Sequence, residues 1–134
     1  MIDAMTDLAE GVAHGPRVLV VEDEFLIRTL VADYLRDAGF VVIEAFNGDE
    51  AIALLSADAA VDLVFTDVRM PGGVDGMALL AYIRGRRPDL PVVVTSGHLD
   101  PAIASSGGAA AFVAKPFELD RVGEALRAAL KGPA

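Results

Sequence analysis

Residues 63–72 read LVFTDVRMPG, an apolar run that passes through Asp67 and closes on a Pro-Gly turn. Leu63, Val64 and Phe65 point alternately to the two faces of any strand they form, so neither face of that strand can meet water. Strands of this kind belong to parallel sheets packed between helix layers. Asp67 falls just past the end of the run, at the edge where a parallel sheet collects its functional residues.

Comparable runs stand on both sides of it. Residues 17–21, 41–45, 92–95 and 111–114 are short and β-branched or small, and longer amphipathic stretches separate them. That alternation is the pattern of βα units wound into a parallel sheet, here five of them, with the third strand at 63–66. The spacing predicts a helix over about 24–38, with Ile27, Val31 and Leu35 on one stripe, Leu30 and Tyr34 beside it, and Gly39 as the stop. Further helices are expected over about 48–56 and 76–86, the latter burying Leu79, Leu80 and Ile83. A last one carries Leu119, Val122, Leu126 and Leu130. The fourth is the weakest: DPAIASSGGAA offers Pro101 at a helix start, but its serines and glycines limit it to a turn or two. Residues 1–16 end in His14, Gly15 and Pro16, which break any helix begun earlier, and are expected to form a flexible extension to a domain over 17–132.

Composition narrows the function. A chain of 134 residues is one domain's length and can bury roughly two-thirds of its unfolded surface. With 20 acidic against 11 basic side chains the net charge is −9, which repels phosphate backbones, so direct nucleic-acid binding is not expected. There is no cysteine, so disulfides, thiolate metal sites and cysteine nucleophiles are excluded. No apolar stretch approaches the roughly 20 residues of a membrane span, and the acidic start lacks a signal peptide's basic region. The expected location is cytoplasmic.

The predicted strands bring distant residues to one edge. Glu22, Asp23 and Glu24 follow the first strand and Asp67 the third, Thr95 and Ser96 end the fourth, and Lys115 follows the fifth. If Asp23 and Asp67 sit about 5 Å apart, their repulsion is on the order of 3 kcal/mol at an effective dielectric near 20, so a cation must share the cleft. Mg²⁺ suits such a site, because it binds through one or two carboxylates and completes its shell with water and phosphate oxygens. Asp67 is then the natural nucleophile toward phosphorus and Lys115 the natural clamp on the phosphoryl oxygens.

VLVVEDE, LVFTDVRMPG, VTSGH and FVAKPF, in this order and each just past its own strand, resemble the response-regulator receiver domains of two-component signalling over about residues 17–131. The resemblance implies an α/β fold, a doubly wound, flavodoxin-like five-stranded parallel sheet in the order 2-1-3-4-5. It implies that Asp67 is the phosphoacceptor, Asp23 a direct Mg²⁺ ligand, Glu22 a ligand largely through water, and Arg69 a ligand through its backbone carbonyl. Lys115 looks like the phosphate-binding lysine and Phe112 like the aromatic switch residue. The family's spacing, counted from Pro91, places the switch hydroxyl on Ser96, with Thr95 the runner-up. The Lys115–Pro116 bond resembles the family's usual cis peptide.

Two stretches depart from the pattern. MPGGVDG carries one residue more than the commoner loop, and Ser96 and Lys115 lie 19 positions apart, nearly a helical turn short of the usual spacing. Plainer roles also exist: helix-start acids at 22–24, a strand-end hydrogen bonder at Ser96, core packing for Phe112, and a bystander loop histidine at His98, which could otherwise modulate hydrolysis. Gly72, Gly73 and Gly76 lack the lysine and hydroxyl of a phosphate loop and read as turn residues. A phosphatase built on a nucleophilic aspartate would want a second acid where Arg69 stands.

The function expected is that of a single-domain, chemotaxis-type response regulator. It would take a phosphoryl group on Asp67 from a histidine kinase or histidine phosphotransfer protein and signal to an unknown downstream protein through its changed surface, catalysing only its own phosphorylation and dephosphorylation. Because the chain stops at Ala134, no effector domain is expected to follow. The alternatives are a phosphorylation-independent interaction module, or a phosphorelay intermediate or phosphate sink. The apolar parts of the first and last helices could also support a homodimer.

Overall fold

The computed structural model describes residues 15–57 and 59–132, so most of the expected N-terminal extension lies outside it. Five βα units run in chain order: β1 (Arg17–Val21), α1 (Phe25–Asp37), β2 (Val41–Ala45), α2 (Gly48–Ser56), β3 (Leu63–Asp67), α3 (Gly76–Arg86), β4 (Val92–Ser96), α4 (Pro101–Ser106), β5 (Ala111–Ala114) and α5 (Leu119–Lys131). All pairings are parallel, in the order β2-β1-β3-β4-β5.

Two cores lie against the sheet, and strand alternation sorts side chains between them. Val18, Val20, Leu63, Phe65, Val93 and Val113 join Val31, Leu35, Val122 and Leu126 of α1 and α5. Leu19, Val21, Val64, Val92 and Val94 join Ala51, Leu55, Leu79, Leu80 and Ile83 on the side of α2, α3 and α4. This is why VLVV and LVF are apolar at successive positions. Each fully buried leucine or isoleucine contributes roughly 1.5–3 kcal/mol relative to exposure.

Of the stripe expected on α1, Val31 and Leu35 are buried and Ile27 is half-buried, whereas Leu30 beside it stays 59% exposed. β3 and β4 each run one residue further than the apolar pattern suggested, so Asp67 and Ser96 are themselves strand residues. The ladder explains it: Asp67 pairs with Thr95 and Ser96 with Ala114. Helix starts follow local chemistry. Asn47 accepts the Glu50 N–H, Asp75 that of Ala78, and Asp100 that of Ala102 with Pro101 leading α4. α4 has only 6 residues and gives way to Gly107 and Gly108, the latter at φ +94°.

Candidate functional site: an acidic pocket at the C-terminal edge of the sheet

The order β2-β1-β3-β4-β5 puts β1 and β3 side by side, so the residues leaving both strands meet. Glu22, Asp23 and Asp67 each present a carboxylate oxygen within 4.8 Å of the others. Glu22 and Asp67 are buried, at 4% and 7% exposure, while Asp23 opens to solvent. Lys115, leaving β5, reaches across β4 and sets its Nζ 3.0 Å from Asp67 Oδ2 and 3.3 Å from Glu22 Oε1. The Lys115–Pro116 bond is cis.

Three carboxylates face one ammonium here. Burial drives the Glu22 carboxyl up to about 7, with the Asp67 charge acting the same way. The Glu24 N–H, 3.1 Å from Glu22 Oε2, and the Lys115 ammonium oppose that rise without cancelling it. Burial works against the Lys115 charge, yet the hydrogen bond to Asp67 and the charge of Glu22 hold its pKa above the ordinary lysine value. A hard divalent cation fits this donor set, since the oxygens converge and the lysine leaves negative charge uncompensated.

The other predicted residues divide into two groups. Arg69 is exposed and borders both a shallow cleft shared with Asp23 and Asp75 and a larger cavity of about 700 Å³ beside Asp67. Ser96 and His98 line the same cavity. Ser96 Oγ is turned onto its own loop, accepting the N–H groups of His98 at 3.0 Å and Leu99 at 3.1 Å. Thr95 is taken up by the sheet, its Oγ1 donating to Val113 O at 2.7 Å. Phe112 is half-buried against the α2, α3 and α4 core, on the sheet face opposite Val113.

Two features escaped the sequence reading. One is the apolar wall of the cavity, made by Ile27, Leu30 and Val31 of α1 with Phe117 and Leu119. The other is Arg28, whose Nη1 donates to Glu22 O at 2.9 Å. No motif or apolar stripe in the sequence singled out Arg28. Only the neighbouring strand β2 reveals its partners.

The chain belongs to the response regulator receiver domain family, whose model matches residues 18–127. Its fold and acidic pocket are those of the phosphorylated receiver modules of two-component systems, for which Mg²⁺ binding is typical. Over 118 residues it is 40% identical to the C4-dicarboxylate transport transcriptional regulatory protein DctD of Rhizobium meliloti, covering 86% of this chain and 25% of that protein. The DNA-binding transcriptional regulator NtrC of Salmonella typhimurium is 39% identical over 106 residues, 77% of this chain and 22% of that one. The chain therefore spans about a quarter of the length of the curated relatives it matches. Among solved structures, the receiver domain of NtrX from Brucella abortus is 41% identical with a TM-score of 0.79, covering 87% of this chain and 99% of that one. A response regulator receiver domain protein from Clostridium thermocellum is 27% identical with a TM-score of 0.80, over 87% and 94% of the two chains.

Proposed function

We propose that this chain is a phosphoryl-accepting switch whose acceptor is Asp67, supplied by a histidine kinase or histidine phosphotransfer protein. The observation that carries this reading is Lys115 Nζ bridging Asp67 and Glu22 within a cluster of three carboxylates. An Asp67 oxygen attacks the phosphorus in line, an acyl phosphate P–O bond forms, and the donor's P–N bond breaks. Mg²⁺, held by Glu22, Asp23, Asp67 and the Arg69 carbonyl, supplies charge neutralisation and oxygen coordination when bound. Lys115 then exchanges its contact with Asp67 for the phosphoryl oxygens, a preorganised positive charge where negative charge develops.

Beside the acceptor, Ile27 and Leu30 offer apolar surface to the partner, Leu30 being 59% exposed. Ser96, once it donates its hydroxyl hydrogen to the new phosphoryl group, carries the β4–α4 loop with it through the His98 and Leu99 amides, and Phe112 repacks in response. Thr95 and His98 are secondary modulators in this scheme.

In this reading the domain spans residues 17–132, with 1–16 as an extension, and works in the cytoplasm. Its charge of −9 favours output through protein contact over DNA contact. Among the described residues no helix is long and apolar enough to cross a membrane. Incubation with a phosphodonor and Mg²⁺ should add the mass of one phosphoryl group, and Asp67→Ala should abolish the gain. A gain that survives in Asp67→Ala would refute the assignment.

A further inference from the structure

The acidic pocket depends on a sharp turn, residues 22–24, that must present Glu22 inward and Asp23 outward. Two main-chain bonds help to hold it: Glu22 N–H donates to Ala45 O at 3.1 Å, and Arg28 N–H to Glu24 O at 2.9 Å. The side chain of Arg28, only 15% exposed, adds a third grip. Its Nη1 donates to the Glu22 carbonyl at 2.9 Å while its Nε donates to Glu44 Oε1 at 3.2 Å. A single residue thereby holds both ends of the turn, Glu22 by its guanidinium and Glu24 by its main chain.

Glu44 is itself anchored. It sits on the edge strand β2 opposite Val20, and its second oxygen accepts Arg36 Nη2 at 3.2 Å. The guanidinium of Arg28 is thus fixed from outside the pocket. By charge alone, a cation so close to the acidic turn would oppose metal binding. Its contribution to such a site must therefore be geometric.

We propose that Arg28, anchored by Glu44, is a positioning residue that sets the Glu22–Asp23–Glu24 turn for divalent-cation binding, so that a carboxylate outside the pocket tunes the affinity of the site. This rests on the metal-binding reading above. Mg²⁺ titrated calorimetrically into the intact protein tests it. Arg28→Gln should weaken binding about tenfold, the usual scale for a residue that orients a metal ligand, although loss of its positive charge alone would tighten it. Arg28→Lys keeps the charge without the two-armed grip and should recover only part of the loss. Glu44→Gln should weaken binding, and Arg28→Gln with Glu44→Gln should bind no more weakly than Arg28→Gln alone.

Folding of each variant is read by urea denaturation without Mg²⁺. Binding by folded Arg28→Gln as tight as wild type, or additive losses in the double variant, would overturn the proposal. If Arg28→Gln does not fold, unchanged affinity in both Arg28→Lys and Glu44→Gln overturns it instead. A wild-type protein that takes up no Mg²⁺ would remove the metal-binding reading itself, an outcome distinct from failure of the Arg28 assignment.

Discussion

Lys115 Nζ stands 3.0 Å from Asp67 Oδ2, across 48 residues of chain and with β4 between the strands that deliver the two residues. The pair is mostly buried, with side-chain exposures of 23% and 9%, and Glu22 shares the same ammonium. Removing one member of such a group leaves charges facing each other in a site that water reaches poorly.

Lys115→Met should therefore destabilise the Mg²⁺-free domain at pH 8 by about 1–3 kcal/mol, less than a fully buried pair because Lys115 keeps some solvent. Urea denaturation at pH 8 and pH 4 measures it. Near pH 4 the loss should shrink, as the Glu22 carboxyl becomes neutral. Equal losses at both pH values would mean that packing, not charge, is what Lys115 contributes.

Glu22 has its carboxyl raised to about 7 by burial, against an ordinary 4.5. Between those values the folded state holds a proton that the unfolded state has released, so this group makes the metal-free domain less stable as pH rises through the window. Full ionisation costs on the order of 3 kcal/mol. Glu22→Gln should match wild type near pH 4 and exceed it in stability by pH 8, both without Mg²⁺. A constant difference across the pH range would contradict the assigned cause.

Asp23 is the exposed member of the acidic cluster, so Asp23→Asn should leave the metal-free fold almost unchanged. Saturating Mg²⁺ should stabilise wild type, by about 2.7 kcal/mol at a hundred times its dissociation constant. Asp23→Asn should lose most of that increment in a thermal melt. An undiminished Mg²⁺ shift in the variant would remove Asp23 from the ligand set.

Gly76 opens α3 against the acceptor strand: a β-carbon there would lie 2.2 Å from the carbonyl oxygen of Asp67, and the Gly76 N–H donates to Val68 O at 2.8 Å. Backbone must move to admit even a methyl group. Gly76→Ala should cost at least about 2–3 kcal/mol by urea denaturation. Gly73→Ala, where nothing lies within 4 Å of the added carbon, should cost far less and serves as the control.

Ser96→Ala removes the acceptor of the His98 and Leu99 amides. Their hydrogen exchange, followed by NMR, should accelerate about fivefold, corresponding to roughly 1 kcal/mol per lost bond. Amides elsewhere in β4 should exchange as before. Unchanged exchange at His98 and Leu99 would show that Ser96 does not hold this loop.

Much of this architecture is legible in the residue pattern. VLVV, LVF and VVVT admit no solvent face, which dictates strands covered on both sides, and the stretches between them are long enough for helices. Strand ends are less legible: the predicted strands stop one residue short of Asp67 and Ser96, but the ladder from neighbouring strands carries both into the sheet. Ser96 and Thr95 could not be separated by chemistry, because both are hydroxyls at the same strand end. Their hydrogen bonds separate them, one to a loop and the other to β5.

Sequence by itself determined the five βα units, the two apolar layers, and the set of residues, Glu22, Asp23, Asp67 and Lys115, that a parallel sheet must deliver to one edge. It could do so because side-chain alternation and strand direction are local properties, readable within a few residues of chain. Only the tertiary structure decided that Glu22 is buried and Asp23 open, that Ser96 faces its own loop, and that Arg28 and Glu44 brace the acidic turn. Those outcomes depend on which strands become neighbours, and so on contacts between residues far apart in the chain.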